Sequence, residues 1–483
     1  MKRKLKILFL SAEVAPFSKT GGLADVAGSL PRALKDLGHE VVVATAKHGI
    51  PEPERFEFKS VKKNIPISVG SEKILINFEK SSLEEGLPVY FVASRKFFDE
   101  KKSVYGNDDA RRFYLLTKAI LRLTDFLKIK FDIVHCNDWH MGLVPYTLKK
   151  ETEEYQYLSE AKILFTIHNL EFQGDLYWRD LTGERRDDGR SPLPDFSSKE
   201  IKRINFMKRG IIFADAINTV SERYRKEAMS RSLGRGLDQL LKSREADFFG
   251  ILNGIDYDYF NPLSDKNLAY NFNGEDFEEK KKLNKIALQK ELGLKEENVP
   301  LLGLVTRIGE QKGFSLLKKI MRDLLRFNLQ IGIVGEGDRY FKDFLREIAK
   351  KNPGKIGLHL RFSEAVGSRI YGAADLFLMP SLWEPCGLGQ MIAMRYGAVP
   401  IVRRTGGLFD TVIDFDKDRT RGNGFYFCHY SPSVFFRAIS RALDCYYNKK
   451  ERWQELVGRI MKLRFDWQSS AKNYQKIYYK IKK

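Results

Sequence analysis

Residues 19–26 read KTGGLADV, and they follow the short apolar run Ile7–Leu10, which predicts the first strand of an α/β domain. A lysine beside paired glycines at a strand-to-helix turn places a cation next to bare backbone N–H groups, and this arrangement suits a phosphate. The stretch lacks the glycine-lysine-hydroxyl ending of a Walker loop and the spacing of a dinucleotide fingerprint. We therefore expect a sugar nucleotide held by its diphosphate rather than ATP or NAD. Paired glycines also serve simply to turn a chain, so this stretch alone leaves that alternative open.

Short aliphatic runs alternate with longer amphipathic stretches along the chain. The first half predicts a helix at Leu23–Leu37 that ends before Gly38, and strands at Leu5–Leu10, Glu40–Thr45, Ile133–Cys136 and Ile163–Ile167. The alternation restarts at Pro300 and predicts strands at Leu301–Thr306, Leu329–Val334, Gly357–Phe362, Leu376–Pro380 and Ala398–Val402. This pattern is typical of doubly wound parallel sheets, so the predicted fold class is α/β.

The length of the chain predicts two domains. At roughly 100 to 250 residues per domain, one hydrophobic core does not usually support a chain of 483 residues. The stretch 258–295 contains an Asn-Pro step and a dense run of charge, and it interrupts the alternation of strands and helices. We therefore predict a first domain over 1–258, an interdomain segment over 259–297, a second domain over 298–464 and a C-terminal segment over 465–483.

The formal charge of +20 raises the question of nucleic-acid binding. Lysine and arginine are dispersed along the whole chain among 63 acidic residues, and no RNA-binding aromatic signature or zinc finger is present. A surface rich in Lys and Glu is also what heat-adapted proteins tend to show. We therefore predict no nucleic-acid partner.

The longest apolar runs, such as Ile331–Val334 and Leu376–Met379, are far too short to span a bilayer. Glu13 interrupts the N-terminal apolar run before it could act as a signal peptide, so we expect a soluble cytoplasmic protein with no membrane partner. The four cysteines show no CxxC pair and no zinc-ligand spacing, which argues against a disulfide framework or a metal cage; they are Cys136, Cys386, Cys428 and Cys445.

Ligands of open parallel sheets bind off the carboxyl ends of the strands, so chemistry is expected from the residues that follow each strand. Four such segments are rich in polar side chains: HCNDWH at 135–140, IHN at 167–169, TRIGEQKG at 306–313 and PSLWEPCGLGQ at 380–390.

Together with five further motifs, these segments resemble the bacterial glycogen synthase and plant starch synthase family. The further matching motifs, in chain order, are KTGGLADVAG from Lys19, NFMKRGIIFADAINTVS at 205–221, GILNGIDYD at 250–258, VPIVRRTGGLFDTV at 399–412 and FDWQSSAKNY at 465–474, while IHN extends to TIHNLEFQG at 166–174. The match runs nearly end to end, and nine motifs in order are very specific.

The resemblance implies a GT-B glycosyltransferase. It implies two Rossmann-like domains facing each other across a cleft, with a C-terminal helix that begins near Trp467 and crosses back onto the first domain. The implied activity is transfer of glucose from ADP-glucose to the non-reducing 4-hydroxyl end of an α-1,4-glucan with retention of configuration. ADP-glucose is favoured over UDP-glucose by this likeness alone, and no metal or other cofactor is expected.

The chemistry places negative charge on the leaving diphosphate, which fixed cations and N–H dipoles must stabilise. Arg307 and Lys312 follow a predicted strand and match the family's diphosphate-binding Arg and Lys. The resemblance adds Lys19, Gly21 and Gly22 as donor-binding residues on the first domain. The alternative is that these side chains are solvated, as loop cations usually are.

His168 matches the family histidine placed near the donor sugar, where it can stabilise an oxocarbenium-like centre, and Asp138 is the best carboxylate for orienting donor or acceptor. A lone histidine or aspartate after a strand more often packs or caps a turn. The candidates for glucan contacts combine aromatic faces with polar groups and are Tyr105, Trp139, His140 and Asn169.

Glu384 matches the first acidic residue of a Glu-x7-Glu pattern in retaining GT-B enzymes, where it contacts the donor glucose. Ile392 stands at the second position, which we interpret as a different ribose arrangement. Cys386 and Gly387 are predicted to offer backbone N–H groups to the sugar, and Asn253 to bond to it. A buried structural thiol and a plain Asn-Gly turn are the alternatives for Cys386 and Asn253.

Some positions depart from the family pattern. Residues 99–105 read DEKKSVY and lack the usual Arg-Pro-Gly, while Gly389, Phe260 and Glu222 replace Thr, Trp and Pro. These differences weaken the prediction for Tyr105 more than that for the diphosphate site.

Three rival functions remain open at this point. Asp256-Tyr257-Asp258 spells the DxD of metal-dependent transferases, although it belongs to an NGID turn. A phosphorylase would need a Schiff-base lysine and a longer chain. A non-catalytic glucan-binding protein would not need Arg307 and Lys312 beside Glu384.

Overall fold

The computed structural model describes residues 3–50, 53–70, 72–101, 103–106, 108–177, 187–193 and 203–483. The chain divides into two compact units: unit 1 comprises Met1–Gly254 and Trp467–Lys483, and unit 2 comprises Ile255–Asp466. The first division thus lies four residues before the position 258 predicted from the sequence. The stretch 259–297, predicted as an interdomain segment, is part of unit 2.

Unit 1 contains a nine-stranded sheet and a separate two-stranded pair. Its strands are β1 Lys6–Leu10, β2 Glu40–Ala46, β3 Lys59–Val69, β4 Glu72–Glu84, β5 Leu87–Ala93, β6 Ile133–Asn137, β7 Lys162–Ile167, β8 Asp175–Tyr177, β9 Arg203–Asn205, β10 Ala216–Thr219 and β11 Phe248–Gly250. The large sheet has the order β11-β10-β7-β6-β1-β2-β5-β4-β3, and β8 pairs with β9. Pairing in the large sheet is parallel except that β4 is antiparallel to β3 and β5. The four strands predicted in this half are confirmed, and the antiparallel edge was not predicted.

The helices in the first part of unit 1 are α1 Gly22–Asp36, α2 Asp109–Leu127, α3 Leu143–Lys150, α4 Phe206–Phe213, α5 Glu222–Ala228 and α6 Asp238–Ser243. Shorter turns of helix lie at Pro53–Arg55, Arg95–Asp99, Trp139–Met141, Thr152–Glu154 and Glu245–Asp247. The helix α1 buries Leu23, Val26, Leu30 and Leu34 at helical spacing. Gly38 follows its end with φ +89°, so the predicted glycine stop is confirmed.

Unit 2 contains a six-stranded sheet with parallel pairing throughout. Its strands are β12 Leu301–Val305, β13 Gln330–Val334, β14 Ile356–His359, β15 Leu376–Met379, β16 Val399–Arg403 and β17 Phe425–Phe427, in the order β14-β13-β12-β15-β16-β17. Its helices are α7 Phe277–Glu291, α8 Phe314–Leu324, α9 Arg339–Lys351, α10 Glu364–Ala373, α11 Gly389–Arg395, α12 Gly406–Thr411, α13 Pro432–Asn448 and α14 Lys450–Lys462, with a 3-10 turn at Glu310–Lys312. The five strands predicted here are confirmed.

The last helix, α15 Trp467–Lys482, returns to unit 1, and its predicted start near Trp467 is confirmed. Trp467, Tyr474 and Tyr478 are buried in the same core as β1 and α1. The Tyr478 hydroxyl lies 2.8 Å from Nδ1 of His135, and Nδ2 of Asn218 donates to the Tyr474 hydroxyl at 3.1 Å. These buried polar contacts fix the register of α15 on the sheet.

The helices in the described ranges are all too short or too polar to cross a bilayer.

Candidate active site

The loops that follow β12 and β15 meet in unit 2 and bring Lys312 and Glu384 together. Nζ of Lys312 donates to Oε2 of Glu384 at 2.6 Å, and the two side chains are 17% and 7% exposed. Gly313 allows this approach, because it adopts φ +81° and a Cβ there would lie 2.1 Å from the Pro380 carbonyl oxygen. The two segments that the sequence predicts at the diphosphate and the donor glucose therefore form one cluster.

Gln311 ties these two loops together. Nη2 of Arg307 donates to Oε1 of Gln311 at 3.2 Å, and Nε2 of Gln311 donates to the Trp383 carbonyl at 3.4 Å. The backbone N–H of Leu382 donates to the Gln311 carbonyl at 2.8 Å. This role of Gln311 was not predicted, although Gln311 lies between Arg307 and Lys312 in the TRIGEQKG motif.

The Glu384 carboxylate has a second partner, because the Ser381 hydroxyl donates to its Oε2 at 2.9 Å. Arg403, at the end of β16, donates to the Leu382 carbonyl and holds the same loop. Ser381 and Arg403 were also missed. Arg403 is the last residue of a strand and Ser381 follows the end of another. Because ligands bind at the carboxyl ends of parallel strands, these positions could have indicated both residues as site candidates.

A second strand-to-helix turn with paired glycines supports the Glu384 loop. Residues 404–408 read RTGGL, close to the KTGGL of residues 19–23, and α12 begins at Gly406. Cβ atoms at Gly406 and Gly407 would lie 1.9 Å from the Glu384 carbonyl oxygen and 2.0 Å from that of Cys386. Only glycine therefore lets this turn approach the backbone of the loop so closely.

Cys386 is buried, and Gly387 adopts φ +71° with its carbonyl accepting from Nε2 of Gln390 at 2.8 Å. The predicted backbone contacts of these two residues to the donor sugar stay predictions. Phe362 is 71% exposed. It was predicted to end a strand, but β14 ends at His359, so Phe362 lies in the loop after that strand.

In unit 1, polar groups of the KTGG turn already have partners within the protein. Nζ of Lys19 lies 2.9 Å from Oδ1 of Asp25. Oε2 of Glu13 accepts the N–H groups of Thr20 at 2.6 Å and Gly21 at 3.1 Å. The Gly21 N–H predicted for the donor phosphate is thus already donated to a carboxylate, whereas Gly22 begins α1.

Glu13 also accepts a hydrogen bond from the Tyr105 hydroxyl through Oε1. Burial raises the pKa of Glu13, and the nearby Asp25 adds to the shift, while the hydrogen bonds from Tyr105, Thr20 and Gly21 oppose it. The pKa of Tyr105 is raised by burial and by the Glu13 carboxylate. From the sequence, Glu13 was interpreted only as a charge that interrupts an apolar run, and its position among the predicted site residues was not predicted.

Asp138 directly follows β6 and adopts φ 61°, a backbone conformation that is uncommon outside glycine and frequent at functional sites. Its Oδ1 accepts the N–H of Trp139 at 3.1 Å and starts the 3-10 turn, as the capping alternative predicted. Burial raises the pKa of Asp138 to about 8, against the lowering effect of backbone hydrogen bonds from Trp139 and His168. Burial therefore favours the protonated form of this side chain.

The three aromatic acceptor candidates lie together: Trp139 stacks on His140 with ring centroids 3.9 Å apart, and the Tyr105 ring lies 5.4 Å from that of His140. Both ring nitrogens of His140 are buried without a hydrogen-bond partner among the described residues. Such atoms need a water or a ligand hydroxyl. Asn169 instead accepts from the N–H of Glu171 at 3.0 Å within its own turn.

His168 follows β7, and its Nε2 lies 3.1 Å from Oδ1 of Asn137. Desolvation lowers the pKa of His168, so its ring is neutral at pH 7. Asn253 is buried, and its Oδ1 finds no hydrogen-bond partner within the described part of unit 1.

The DxD motif of the metal-dependent rival forms a turn. Oδ1 of Asp256 accepts the N–H groups of Asp258 at 2.9 Å and Tyr259 at 3.0 Å, which is the usual role of an aspartate in such a position. Across the described ranges, no group of three or more His, Cys, Asp or Glu side chains is arranged to hold a metal ion.

The two Rossmann-like parallel-sheet units and the family matches that follow assign the chain to the GT-B glycosyltransferases. Residues 6–243 match the family described as starch synthase catalytic domain, and residues 284–456 match glycosyl transferases group 1. The chain is 41% identical over 481 residues to the glycogen synthase of Moorella thermoacetica, covering 99% of this chain and 97% of that one. It is 39% identical over 490 residues to the glycogen synthase of Thermosipho africanus, covering 99% of each chain.

A similar solved structure is the catalytic domain of starch synthase IV from Arabidopsis thaliana bound to ADP and acarbose. It has a TM-score of 0.89 and 35% identity, and the match covers 99% of this chain and 100% of that one. Sucrose-phosphate synthase from Thermosynechococcus elongatus, with a TM-score of 0.59 and 17% identity over 99% of each chain, shares the fold alone. This chain belongs to the glycogen synthase and starch synthase family.

Proposed function

We propose that this protein is a retaining α-1,4-glucan synthase that transfers glucose from ADP-glucose to the non-reducing 4-hydroxyl end of a glucan. The observation that carries the proposal is the Lys312–Glu384 contact of 2.6 Å at the carboxyl edge of the unit 2 sheet. The similar starch synthase IV is bound to ADP and acarbose, which supports a nucleotide donor and a glucan-like acceptor for this chain.

Unit 2 is proposed to bind the donor. Arg307 offers a planar fork to two phosphate oxygens and Lys312 a compact charge, so both stabilise the negative charge that develops on the leaving diphosphate. Glu384 is proposed to accept glucose hydroxyls while it orients Lys312. Gln311 and Ser381 hold these groups in place before the donor binds, so little reorganisation is needed during the reaction.

Unit 1 is proposed to bind glucan and to offer polar groups to sugar hydroxyls. A protonated Asp138 and a neutral His168 can each exchange hydrogen bonds with hydroxyl groups without adding a charge. The unpartnered ring nitrogens of His140 supply further hydrogen-bonding atoms beside the indole of Trp139.

We further propose that no metal takes part, because the Asp256 carboxylate is used by its own turn. The cytoplasmic location expected from the sequence stays a prediction.

The proposal is tested by measuring nucleoside diphosphate release from ADP-glucose with glycogen, in parallel with UDP-glucose. Lys312→Ala and Glu384→Ala are expected to abolish most turnover. Lys319→Ala is the matched control, because Lys319 is exposed on the neighbouring helix α8. Amylase digestion of the product checks the α-1,4 linkage. If neither activated sugar lengthens the glycogen, the proposal is wrong.

A further inference from the structure

A cavity of about 420 Å³ in unit 1 has no part in the proposed reaction. Its size is within the range of small-molecule sites. Five basic side chains from separate parts of the chain contribute to its wall, and they are Arg3, Lys4, Lys6, Lys130 and Lys482. The start of the chain, the loop before β6 and the end of α15 therefore converge on one concave surface.

The cavity lies at the sheet edge opposite to the predicted site. Lys6 is the first residue of β1, and Asp132 directly precedes β6, so the amino ends of parallel strands form its wall. Asp138 and His168 follow the carboxyl ends of β6 and β7. The basic cavity is therefore separate from the groups assigned to the reaction.

Two carboxylates also line the cavity, and one of them is fully engaged. Oδ1 of Asp132 pairs with Nη2 of Arg3 at 3.0 Å and with Nζ of Lys482 at 3.5 Å, and its Oδ2 accepts the N–H of Lys6 at 2.9 Å. With Glu160 as the other acid, five cations face two anions and leave a net charge of +3. Asp132 thus holds Arg3 and Lys482 in place, and the wall of the cavity keeps a net positive charge.

Two of the remaining cations, Lys6 and Lys130, are exposed on this wall, whereas Nζ of Lys4 lies 3.8 Å from Oε2 of Glu40. Like charges on one concave surface favour an anion between them. Gln156 and Ser159 add neutral polar groups to the same wall, which suit the hydroxyls of an organic ligand. A compact ligand with one dianionic group and several hydroxyls matches this set of side chains.

We propose that this cavity binds a small organic phosphate. The phosphate lies among Lys6, Lys130 and the Arg3 guanidinium, and the hydroxylated part of the ligand faces Gln156 and Ser159. Because Lys482 belongs to α15 and Lys6 to β1, the bound ligand ties the last turn of the C-terminal helix to the sheet. It therefore stabilises unit 1 against unfolding.

The test measures binding of glycerol 3-phosphate and of inorganic phosphate by calorimetry in phosphate-free buffer, with the thermal unfolding midpoint as a second readout. The background is Lys312→Ala, which weakens anion binding at the proposed donor site. Adding Lys6→Gln and Lys130→Gln is expected to weaken binding of glycerol 3-phosphate about tenfold or more. The matched pair Lys62→Gln and Lys63→Gln removes the same charge from exposed positions of β3 and is expected to change affinity less than about twofold.

Each binding result supports or overturns the proposed site independently of catalytic activity. Tighter binding of glycerol 3-phosphate than of inorganic phosphate, lost only in the Lys6 and Lys130 variant, supports the proposal. If glycerol 3-phosphate and inorganic phosphate bind with equal affinity, the proposal of an organic ligand is overturned in favour of free phosphate. Equal weakening by both lysine pairs overturns the site in favour of diffuse surface charge. If a DNA duplex at similar concentration competes with glycerol 3-phosphate, the proposed site is overturned in favour of a nucleic-acid site.

If the variant with both Lys6→Gln and Lys130→Gln fails to fold, Lys130→Gln alone, in the loop before β6, replaces it in the same measurements.

Discussion

Glu13 accepts the hydroxyl hydrogen of Tyr105, although 92 residues separate them in the chain. The other oxygen of the same carboxylate accepts the N–H groups of Thr20 and Gly21. One buried acid therefore holds two loops that carry predicted site residues. The conformation of the KTGG turn and the orientation of Tyr105 are set together.

We expect Glu13→Gln to disturb both loops. An amide keeps one acceptor oxygen but turns its NH₂ group toward a donor, so part-buried hydrogen bonds to the carboxylate are lost at a cost of about 1 to 3 kcal/mol. Urea unfolding measures the loss of stability. The KM values for the donor and for glucan show whether the KTGG turn and the loop that carries Tyr105 have moved. Tyr105→Phe removes a single hydrogen bond and should cost about 1 kcal/mol. A Glu13→Gln enzyme with native stability and native KM values would contradict the predicted role.

The contribution of Asp138 to the stability of unit 1 should fall as pH rises from about 4 toward 8, whereas buried His168, whose pKa is lowered, contributes the opposite dependence below about pH 6.5. The pKa of Asp138 is about 8 in the folded protein against 3.8 for an ordinary aspartate, so the folded state keeps a proton that the unfolded chain releases in this range. Each pH unit then costs up to about 1.4 kcal/mol, and the loss ends above the folded pKa. Asp138→Asn, which stays neutral, should flatten this dependence. Chemical denaturation of both proteins between pH 5 and 9 measures it, and identical slopes would count against a protonated Asp138.

The Lys312–Glu384 pair should dominate catalysis, and Ser381 should contribute less. Lys312→Ala is expected to lower kcat/KM by about 10² to 10³, because it removes a cation aimed at the leaving group. Ser381→Ala loses only one hydrogen bond to Glu384 and should cost about 1 kcal/mol, or roughly fivefold. The double variant shows whether the two act through the same carboxylate, in which case their effects will not add. Additive effects would separate Ser381 from the pair.

Alanine at Gly406 or Gly407 should displace the Glu384 loop. A Cβ would lie 1.9 Å or 2.0 Å from a carbonyl oxygen of that loop, and φ at Gly406 is +43°. We expect a loss of donor binding in both variants, with destabilisation of about 1 to 3 kcal/mol. Gly458→Ala is the matched control: its Cβ meets nothing within 4 Å on α14, so it should stabilise by up to about 1 kcal/mol. Donor KM values and thermal unfolding distinguish the three variants.

Activity should survive metal removal. Asp256→Asn keeps the oxygen that accepts the N–H groups of Asp258 and Tyr259, so the turn and the turnover rate should persist. Assays with and without EDTA, on the native protein and on this variant, are expected to agree within about twofold, as for a surface change. Loss of activity in EDTA would restore the DxD interpretation.

Much of the fold could be predicted because parallel strands buried on both faces are short, continuous aliphatic runs. The apolar runs at β1, β12 and β13 are of this kind, whereas β6 reads IVHCN and begins with only two aliphatic residues. The antiparallel strands β3 and β4, of which β3 is the edge of the sheet, escaped prediction because their apolar residues alternate with polar ones, as in Ile65, Ile67 and Val69 of β3. A search for continuous runs does not detect that pattern.

The site was predicted in part for a similar reason. Arg307, Lys312 and Glu384 carry charges in recognisable motifs, and the structure brings the last two together. Glu13, Gln311 and Ser381 act on other residues through hydrogen bonds, and such contacts depend on distances that one sequence does not contain. The buried state of Asp138, which raises its pKa, likewise follows from tertiary packing.

The return of α15 to unit 1 makes unit 2 an insertion within a discontinuous unit. Both ends of unit 2 meet where the N–H of Ile255 donates to the Phe465 carbonyl at 2.8 Å, so residues 255–466 form one continuous piece. Unit 1 instead needs Tyr474 and Tyr478 to complete its core. On the ribosome, unit 2 can therefore fold while the nascent first part of unit 1 still waits for residues 467–482 to emerge.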